Sequence, residues 1–434
     1  MKYATKLLPA GITTRLFVLD DGALQSIPEV LEQEFSGCSP YLVADDNTWR
    51  VAGLQIYMLL ANAYADTGLK ISTKVFPAVP RLHPLESISQ QLAAEFAGLP
   101  GKTVPVAIGS GVINDLVKRA SGIAGIEYCC VPTACSVDGY TSAGGAMVVD
   151  GRKMTMPCPS PAVIVADVSV LSTAPQEMLA SGYADLFTKI PAGADWLIAE
   201  ELGIEPRVTS IWNLVQQDLR DWLQDTGCLD KIFTGLAATG FAMQLYHDSR
   251  PASGAEHMLS HIWEMEGLTY HGDVVSHGFQ VAIGTIAIVR LMEFAMNLTA
   301  EEMQHMASRP QTREQREAEI AKLLELDCYG KGIKDTAMAK FLEGDALQKR
   351  RKLIFDKWDA IREKLRQQLY PSQKIVDIFR QAGIPIDYRE IGLGYEQYVH
   401  AVRTAQLIRK RYTVLDLLYE AGLLDAAINA VLLS

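Results

Sequence analysis

What most limits how this chain can fold is an alternation that stops. Through the first 175 or so residues, short apolar runs alternate with stretches of helical spacing. "PYLVAD", "STKVFPAV", "TVPVAIGSG", "EYCCVPT" and "PAVIVAD" read as strands. "TWRVAGLQIYMLLANAYADTG", "LESISQQLAAEFAGL" and "VINDLVKRASG" lie among them and read as helices. Strands separated by helices imply a parallel sheet covered on both faces. "GGAMVVDGRKMT" adds a β-hairpin signature around Asp150-Gly151. After about Leu171 the strand signals nearly vanish. Long apolar-periodic segments follow at 177–203, 208–247, 254–268 and 275–297. The expectation is two domains, an α/β domain over 1–175 and an all-α domain over 176–434, with the active site in the cleft that separates them. The stretch 299–370, rich in Glu, Lys, Arg and Gln, reads as solvated helices forming an outer layer.

The 434 residues suffice for two cores without disulfide staples. A formal net charge of −11 argues against a nucleic-acid or membrane-surface partner. An anionic substrate would then need local positive charge. The start, "MKYATKLLPAGITTR", has no apolar core of a signal peptide. No segment offers about 18 uninterrupted apolar residues, so no membrane insertion is expected. "VAIGTIAIVRLMEFAM", interrupted by Arg290, reads as a core helix. Seven cysteines, with no C-x-x-C pair among Cys129, Cys130, Cys135 and Cys158, suggest buried thiols in a reducing cytoplasm.

Two stretches carry chemistry. In "VAIGSGVIND", Gly109 and Gly111 follow a buried strand and open a helix, whose exposed N–H groups suit a phosphate. Asn114 stands where a full dinucleotide fingerprint has its third glycine, and a plain strand-to-helix turn fits the stretch equally. The acidic candidate for a ribose, Asp45-Asp46, precedes the glycines, whereas in the usual Rossmann order it follows them. Acids there would favour NAD by repelling a 2′-phosphate. The second stretch, "SGAEHMLSHIWEMEGLTYHGDVVSHG", holds His257, His261, His271 and His277, half of the eight histidines. His257 and His261 share a helical face, and His277 opens the next helix. With a carboxylate such as Asp185 or Asp195, they would make a three-ligand site with an open position. An exposed histidine pair is the alternative reading. Glu256 precedes the first histidine, so H-E-x-x-H and its general base are missing.

"GSGVINDLVK", "VPTACSVDGYTSAGGAMVVDGRKMTMPCPSPAVIVAD", "GYADLFTKIPAGADW", "PASGAEHMLSHIWE" and "SHGFQVAIGT" together resemble the bacterial branch of the sn-glycerol-1-phosphate dehydrogenases. These belong to the iron-containing alcohol dehydrogenase and dehydroquinate synthase superfamily. The resemblance runs over roughly 38–300. It implies a dehydroquinate synthase-like fold, NAD or NADP, and one divalent ion (Zn, Ni or Fe) on Asp185, His257 and His277. It places the cofactor on Gly111, Val112, Ile113, Asn114 and Asp115, and on Thr133, Ala134, Cys135, Ser136 and Ser142. Asp138, Asp185 and His261 fall on substrate positions, with His261 or Asp138 to move the proton. His271 matches no ligand position and belongs to a loop. Cys135 replaces an alanine common in the family, a small neutral change.

The implied reaction is reversible reduction of dihydroxyacetone phosphate to sn-glycerol 1-phosphate, a step of phospholipid biosynthesis, in a cytoplasmic homodimer or higher homo-oligomer. The ion serves as Lewis acid. The substrate is a small phosphorylated ketone or polyol, whose phosphate has Lys153, Lys189 and Arg250 as candidate cations. The rivals are a glycerol dehydrogenase acting on an unphosphorylated polyol, a sugar-phosphate cyclase of the dehydroquinate synthase type, and a non-catalytic nucleotide-binding regulator.

Overall fold

The computed structural model describes residues 4–6, 8–149, 152–330 and 332–432, with the side chains of all but 152 and 153. The chain forms two compact units. One runs to Leu186 and takes in Asp218–Asp248; the other is Phe187–Gln217 with the chain from Ser249 onward.

The first unit is built on six parallel strands: β1 (Leu16–Asp20), β2 (Ser39–Asp45), β3 (Ser72–Phe76), β4 (Thr103–Gly109), β5 (Cys129–Pro132) and, after a hairpin of β6 (Gly145–Val149) and β7 (Arg152–Met156), β8 (Val163–Asp167). Their order is β1-β8-β5-β4-β2-β3. The five strands read from the sequence and the hairpin are all present; Asp150 and Gly151, the turn expected from the sequence, lie outside the described residues. β1 went unread, because "LFVLD" is short and stands apart from the alternating pattern. It pairs along β8 from Leu16↔Val163 to Asp20↔Asp167. Helices cover both faces, so β8 is buried along its whole length and its sequence is a continuous apolar run. Leu42, Val106, Ile108, Val131, Val163 and Val165 meet in the core.

From β2 the chain adds β3 on one side and then returns to place β4 on the other. The strand order therefore reverses where β2 and β4 lie together, and such reversals open the ligand crevice at the carboxyl ends of the strands in doubly wound sheets. The β2 end carries Asp45; the β4 end carries Gly109 and Ser110.

The second unit is helical; its only strands among the described residues are the two-residue β9 (Thr269–Tyr270) and β10 (Asp273–Val274). The long segments of the sequence break where local chemistry demands it. The 177–203 stretch is two helices, Gln176–Phe187 and Lys189–Glu201, with Pro191 in the first turn of the second, where its missing N–H costs nothing. The 208–247 stretch, whose part from Asp218 belongs to the first unit, breaks into Thr209–Gln216, the short Leu219–Trp222 and Leu229–Tyr246, the last after a turn in which the Gly227 N–H donates to Asp225 Oδ1.

The charged stretch departs from its expected solvated layer. Its longest helix, Gly344–Gln368, buries Leu347, Ile354, Trp358, Ile361 and Leu365 in one stripe, and the Trp358 indole N–H donates to the Leu298 carbonyl. Glu, Lys and Arg dominate the composition while the apolar residues fall at helical spacing, so the whole-segment average hides a packed face. Among the described residues one helix, His277–Met296, is long and apolar enough to cross a membrane, and 72% of its apolar 18-residue window is buried inside the protein.

Candidate active site

In the sheet unit, the glycine turn leads from β4 through Ser110 into the helix Gly111–Ala124. Ser110 makes no side-chain cap, and the first turn holds no acid. Backbone N–H groups at such a bare helix start suit an anion. Gly111, Val112 and Asp115 are half-buried, whereas Ile113 and Asn114 are buried. The Asn114 side chain faces inward and accepts from the Tyr128 hydroxyl at 3.2 Å, so that residue contributes packing behind the turn. Asp115 Oδ2 accepts the Ala146 N–H at 3.3 Å, tying the helix to the hairpin.

The loop after β5 carries Thr133, Ala134, Cys135 and Ser136, all buried, then Asp138 and the buried Ser142. It is gripped at backbone level. A Cβ on Gly182 would overlap the Cys135 carbonyl, and one on Gly240 would overlap Thr141 Oγ1 and stand 3.0 Å from the Asp138 carbonyl oxygen. Only glycine lets the two helices press this closely. Lys118, fully buried, donates to the Gly139 carbonyl at 2.7 Å and the Gly144 carbonyl at 3.0 Å. The Asp138 N–H donates to Asp185 Oδ2 at 2.9 Å. Asp185 is fully buried on the helix Gln176–Phe187. Two residues assigned to substrate thus meet through a backbone bond.

Asp45 and Asp46 sit at the carboxyl end of β2, but their carboxylates are engaged. Asp45 caps the short helix Asp46–Thr48, accepting from the Asn47 and Thr48 N–H groups at 2.9 and 2.8 Å. Asp46 Oδ2 accepts from the Ala78 N–H at 3.1 Å.

In the helical unit, His257 and His261 lie on the helix Ala255–Met265, and His277 opens the helix His277–Met296. The His257 and His277 rings are 5.2 Å apart by centroid, and His261 stacks 6.4 Å from His277. His257 Nδ1 lies 2.9 Å from Glu256 Oε1, and His277 Nδ1 lies 3.2 Å from Glu264 Oε1. A carboxylate on Nδ1 fixes the proton there and leaves Nε2 as the ligand atom, the usual way a histidine is prepared for a metal. Imidazole nitrogens with one carboxylate suit Zn²⁺, Ni²⁺ or Fe²⁺. His261 Nδ1 lies 3.3 Å from the other Glu264 oxygen, Oε2. Desolvation lowers the His261 pKa and so favours the neutral imidazole, opposed in part by Glu264.

Asp195, the other carboxylate considered from the sequence, is a structural cap. Its oxygens accept the Ala255 N–H at 2.8 Å and the Val414 N–H at 2.7 Å, fixing the start of the His257 helix. Burial, and then the Glu256 carboxylate, push its pKa up to about 7. His271 is one of two central residues of the β9–β10 turn, with φ of 53° followed by Gly272 at 87°, the pattern of a two-residue hairpin.

The expected phosphate cations fare unevenly. Arg250 is corrected. It is 1% exposed, donates to the Asp195 and Tyr412 carbonyls at 3.0 and 3.2 Å, and pairs with Glu205 at 3.1 Å, so it braces the unit instead of meeting substrate. Lys189 is fully buried, its Nζ 3.3 Å from Thr188 Oγ1. The side chain of Lys153 lies outside the described residues. Sequence reading missed Lys118, Glu264, Gly182 and Gly240. The one signal available was for Glu264, seven residues after His257 and three after His261, on their helical face.

Residues 18–175 match the iron-containing alcohol dehydrogenase family. A glycerol-1-phosphate dehydrogenase [NAD(P)+] of Halalkalibacterium halodurans is 31% identical over 77% of this chain and 88% of its own length. One from Bacillus licheniformis is 26% identical over 96% and 92%. Among solved structures, a probable glycerol dehydrogenase from Sinorhizobium meliloti superposes with a TM-score of 0.58 at 14% identity, covering 98% of this chain and 99% of that one, and shares the fold. Matched at 31% identity over 77% of its length by one such enzyme, the chain belongs to the glycerol-1-phosphate dehydrogenase family of the iron-containing alcohol dehydrogenases.

Proposed function

We propose that this chain reduces dihydroxyacetone phosphate to sn-glycerol 1-phosphate with NAD(P)H, reversibly, using a divalent metal held by Asp185, His257 and His277, each of which offers one ligand atom. It is a metal-dependent oxidoreductase of the NAD(P)-dependent glycerol-1-phosphate dehydrogenase type. The observation that carries the reading is the pair of histidines, each with Nδ1 on a carboxylate, in a chain that spans 88% of a named relative. The ion, when bound, supplies Lewis-acid polarisation of the ketone.

The remaining work falls to the protein. The bare start of the helix Gly111–Ala124 takes the cofactor pyrophosphate, with Gly111, Val112 and the N–H groups up to Asp115. Thr133–Ser136 and Ser142, on the loop gripped at Gly182 and Gly240, flank the cofactor. When bound, the nicotinamide would supply the hydride chemistry, and these residues would orient it. In the direction of alcohol oxidation, neutral His261 keeps its Nδ1 proton on Glu264 and presents Nε2 to take the hydroxyl proton. The Asp138 carboxylate is the alternative acceptor, on a backbone fixed by Asp185.

The test is cofactor oxidation with dihydroxyacetone phosphate, on protein stripped by chelator and refilled with Zn²⁺, Ni²⁺ or Fe²⁺. Turnover should vanish on stripping, return with one of the ions, and fall sharply with unphosphorylated dihydroxyacetone. Equal rates on the unphosphorylated ketone would make the enzyme a polyol dehydrogenase. Nucleotide binding with no net NAD(P)H consumption would point to a cyclase.

A further inference from the structure

Glu264 is a buried carboxylate whose two oxygens face two different histidines: Oε1 lies 3.2 Å from His277 Nδ1, and Oε2 lies 3.3 Å from His261 Nδ1. Its side chain is 6% exposed, against 22% for His277 and 29% for His261. Helical geometry makes the arrangement. Glu264 follows His261 by three residues on one helix, while His277 is the first residue of the next. His257 has a separate partner in Glu256 Oε1, which also accepts the Gly254 N–H at 2.7 Å.

We propose that Glu264 is a positioning residue shared by a metal-binding histidine and a proton-transfer histidine, so that ion binding at His277 and the state of His261 are coupled through one carboxylate. The proposal rests on the metal centre and the role of His261 proposed above. A carboxylate on Nδ1 holds an imidazole in one tautomer and orientation and raises the basicity of Nε2. When Nε2 of His277 takes an ion, its ring draws on Glu264 more strongly. The charge available at Oε2 for His261 then falls. Loss of His261 does the reverse and removes one of the two rings that draw on Glu264. Among the described residues Glu256 faces His257 and no second histidine, so it offers no such coupling.

The experiment is a titration of metal-free protein with Zn²⁺ and with Co²⁺, reading the ion affinity and the Co²⁺ absorption spectrum, on the wild type and on Glu264→Gln, Glu264→Ala, His261→Ala and the double variant His261→Ala/Glu264→Ala. Loss of a carboxylate behind a ligating histidine weakens ion affinity about 10–100-fold. That loss is expected for Glu264→Ala, with a smaller one for Glu264→Gln, which keeps one acceptor oxygen. His261→Ala should change the affinity several-fold and shift the Co²⁺ bands when Glu264 is present, and do neither when Glu264 is alanine. A merely structural Glu264 would not produce that dependence. Thermal melting of the metal-free variants identifies any that fail to fold, and Glu264→Gln then carries the test. A wild type that binds neither ion overturns the metal centre and this proposal with it. A wild type that binds, beside folded Glu264 variants of equal affinity or a His261 effect indifferent to Glu264, overturns this proposal alone.

Discussion

The loop Thr133–Ser142 in the sheet unit and the segment Gly254–His277 in the helical unit are both held rigidly, by opposite means. The loop is fixed by backbone. Gly182 and Gly240 admit it where any Cβ would collide, and Lys118 gathers the Gly139 and Gly144 carbonyls. The histidine segment is fixed by carboxylates. Asp195 caps its helix, and Glu256 and Glu264 set two ring orientations. The difference follows from what each would hold. A nucleotide is gripped over an extended surface by main-chain donors, so a small-residue loop serves. A metal takes a few side-chain atoms whose direction must be set from behind.

The largest expected effect tests the carboxylate-built half. His257→Ala should lower turnover by more than about a hundredfold, since loss of a residue behind a ligand alone costs about 10–100-fold. Ion content after dialysis should fall in parallel. Retained turnover would mean that this half does not hold the reactive centre.

The backbone-held half is broken by a single methyl. Gly182→Ala should destabilise the protein by about 3 kcal/mol, the upper range for overpacking, and raise the KM for NAD(P)H. A denaturant midpoint within experimental scatter of the wild type would show that the loop yields and is not gripped.

Asp195 sharpens the comparison through pH. Its native pKa, about 7, stands above the ordinary 3.8 because burial and the Glu256 carboxylate favour the protonated form. A raised native pKa contributes stability that is full below about pH 4 and lost as pH rises through about 7. Between pH 5 and pH 8 the metal-free wild type should therefore lose about 1–3 kcal/mol relative to Asp195→Asn, one pKa unit being about 1.4 kcal/mol. Parallel stability curves for the two proteins would remove Asp195 from the account.

The smallest effect lies at the end of β2. Asp45→Ala removes the cap of Asp46–Thr48 and should cost about 1 kcal/mol. A shift in NAD-versus-NADP preference with unchanged stability would reverse that assignment and return Asp45 to the ribose.

Much of the fold was legible because it is periodic. Each strand of the alternating region except β1 shows as an apolar run, and "VAIGSGVIND" marks the turn where a buried strand meets a helix. The histidines were legible because their types are rare and their spacing helical. Arg250 was misread because charge alone does not reveal burial: a guanidinium amid the carbonyls of Asp195 and Tyr412 has the same letter as one facing solvent. Lys118 was unreadable for the same reason, lying in an ordinary helical "LVKRASG". The 299–370 stretch was read by composition, whereas its packing depends on which few positions are apolar.

By itself, the sequence determined the parallel sheet, the helical remainder, the glycine turn and the histidines, because each is written in local pattern or residue type. Only the tertiary structure decided the strand reversal at β2 and β4, the grip on the Thr133–Ser142 loop, and which carboxylate stands behind which histidine. Those depend on contacts between residues far apart in the chain, whose geometry is set by packing and leaves no periodic trace.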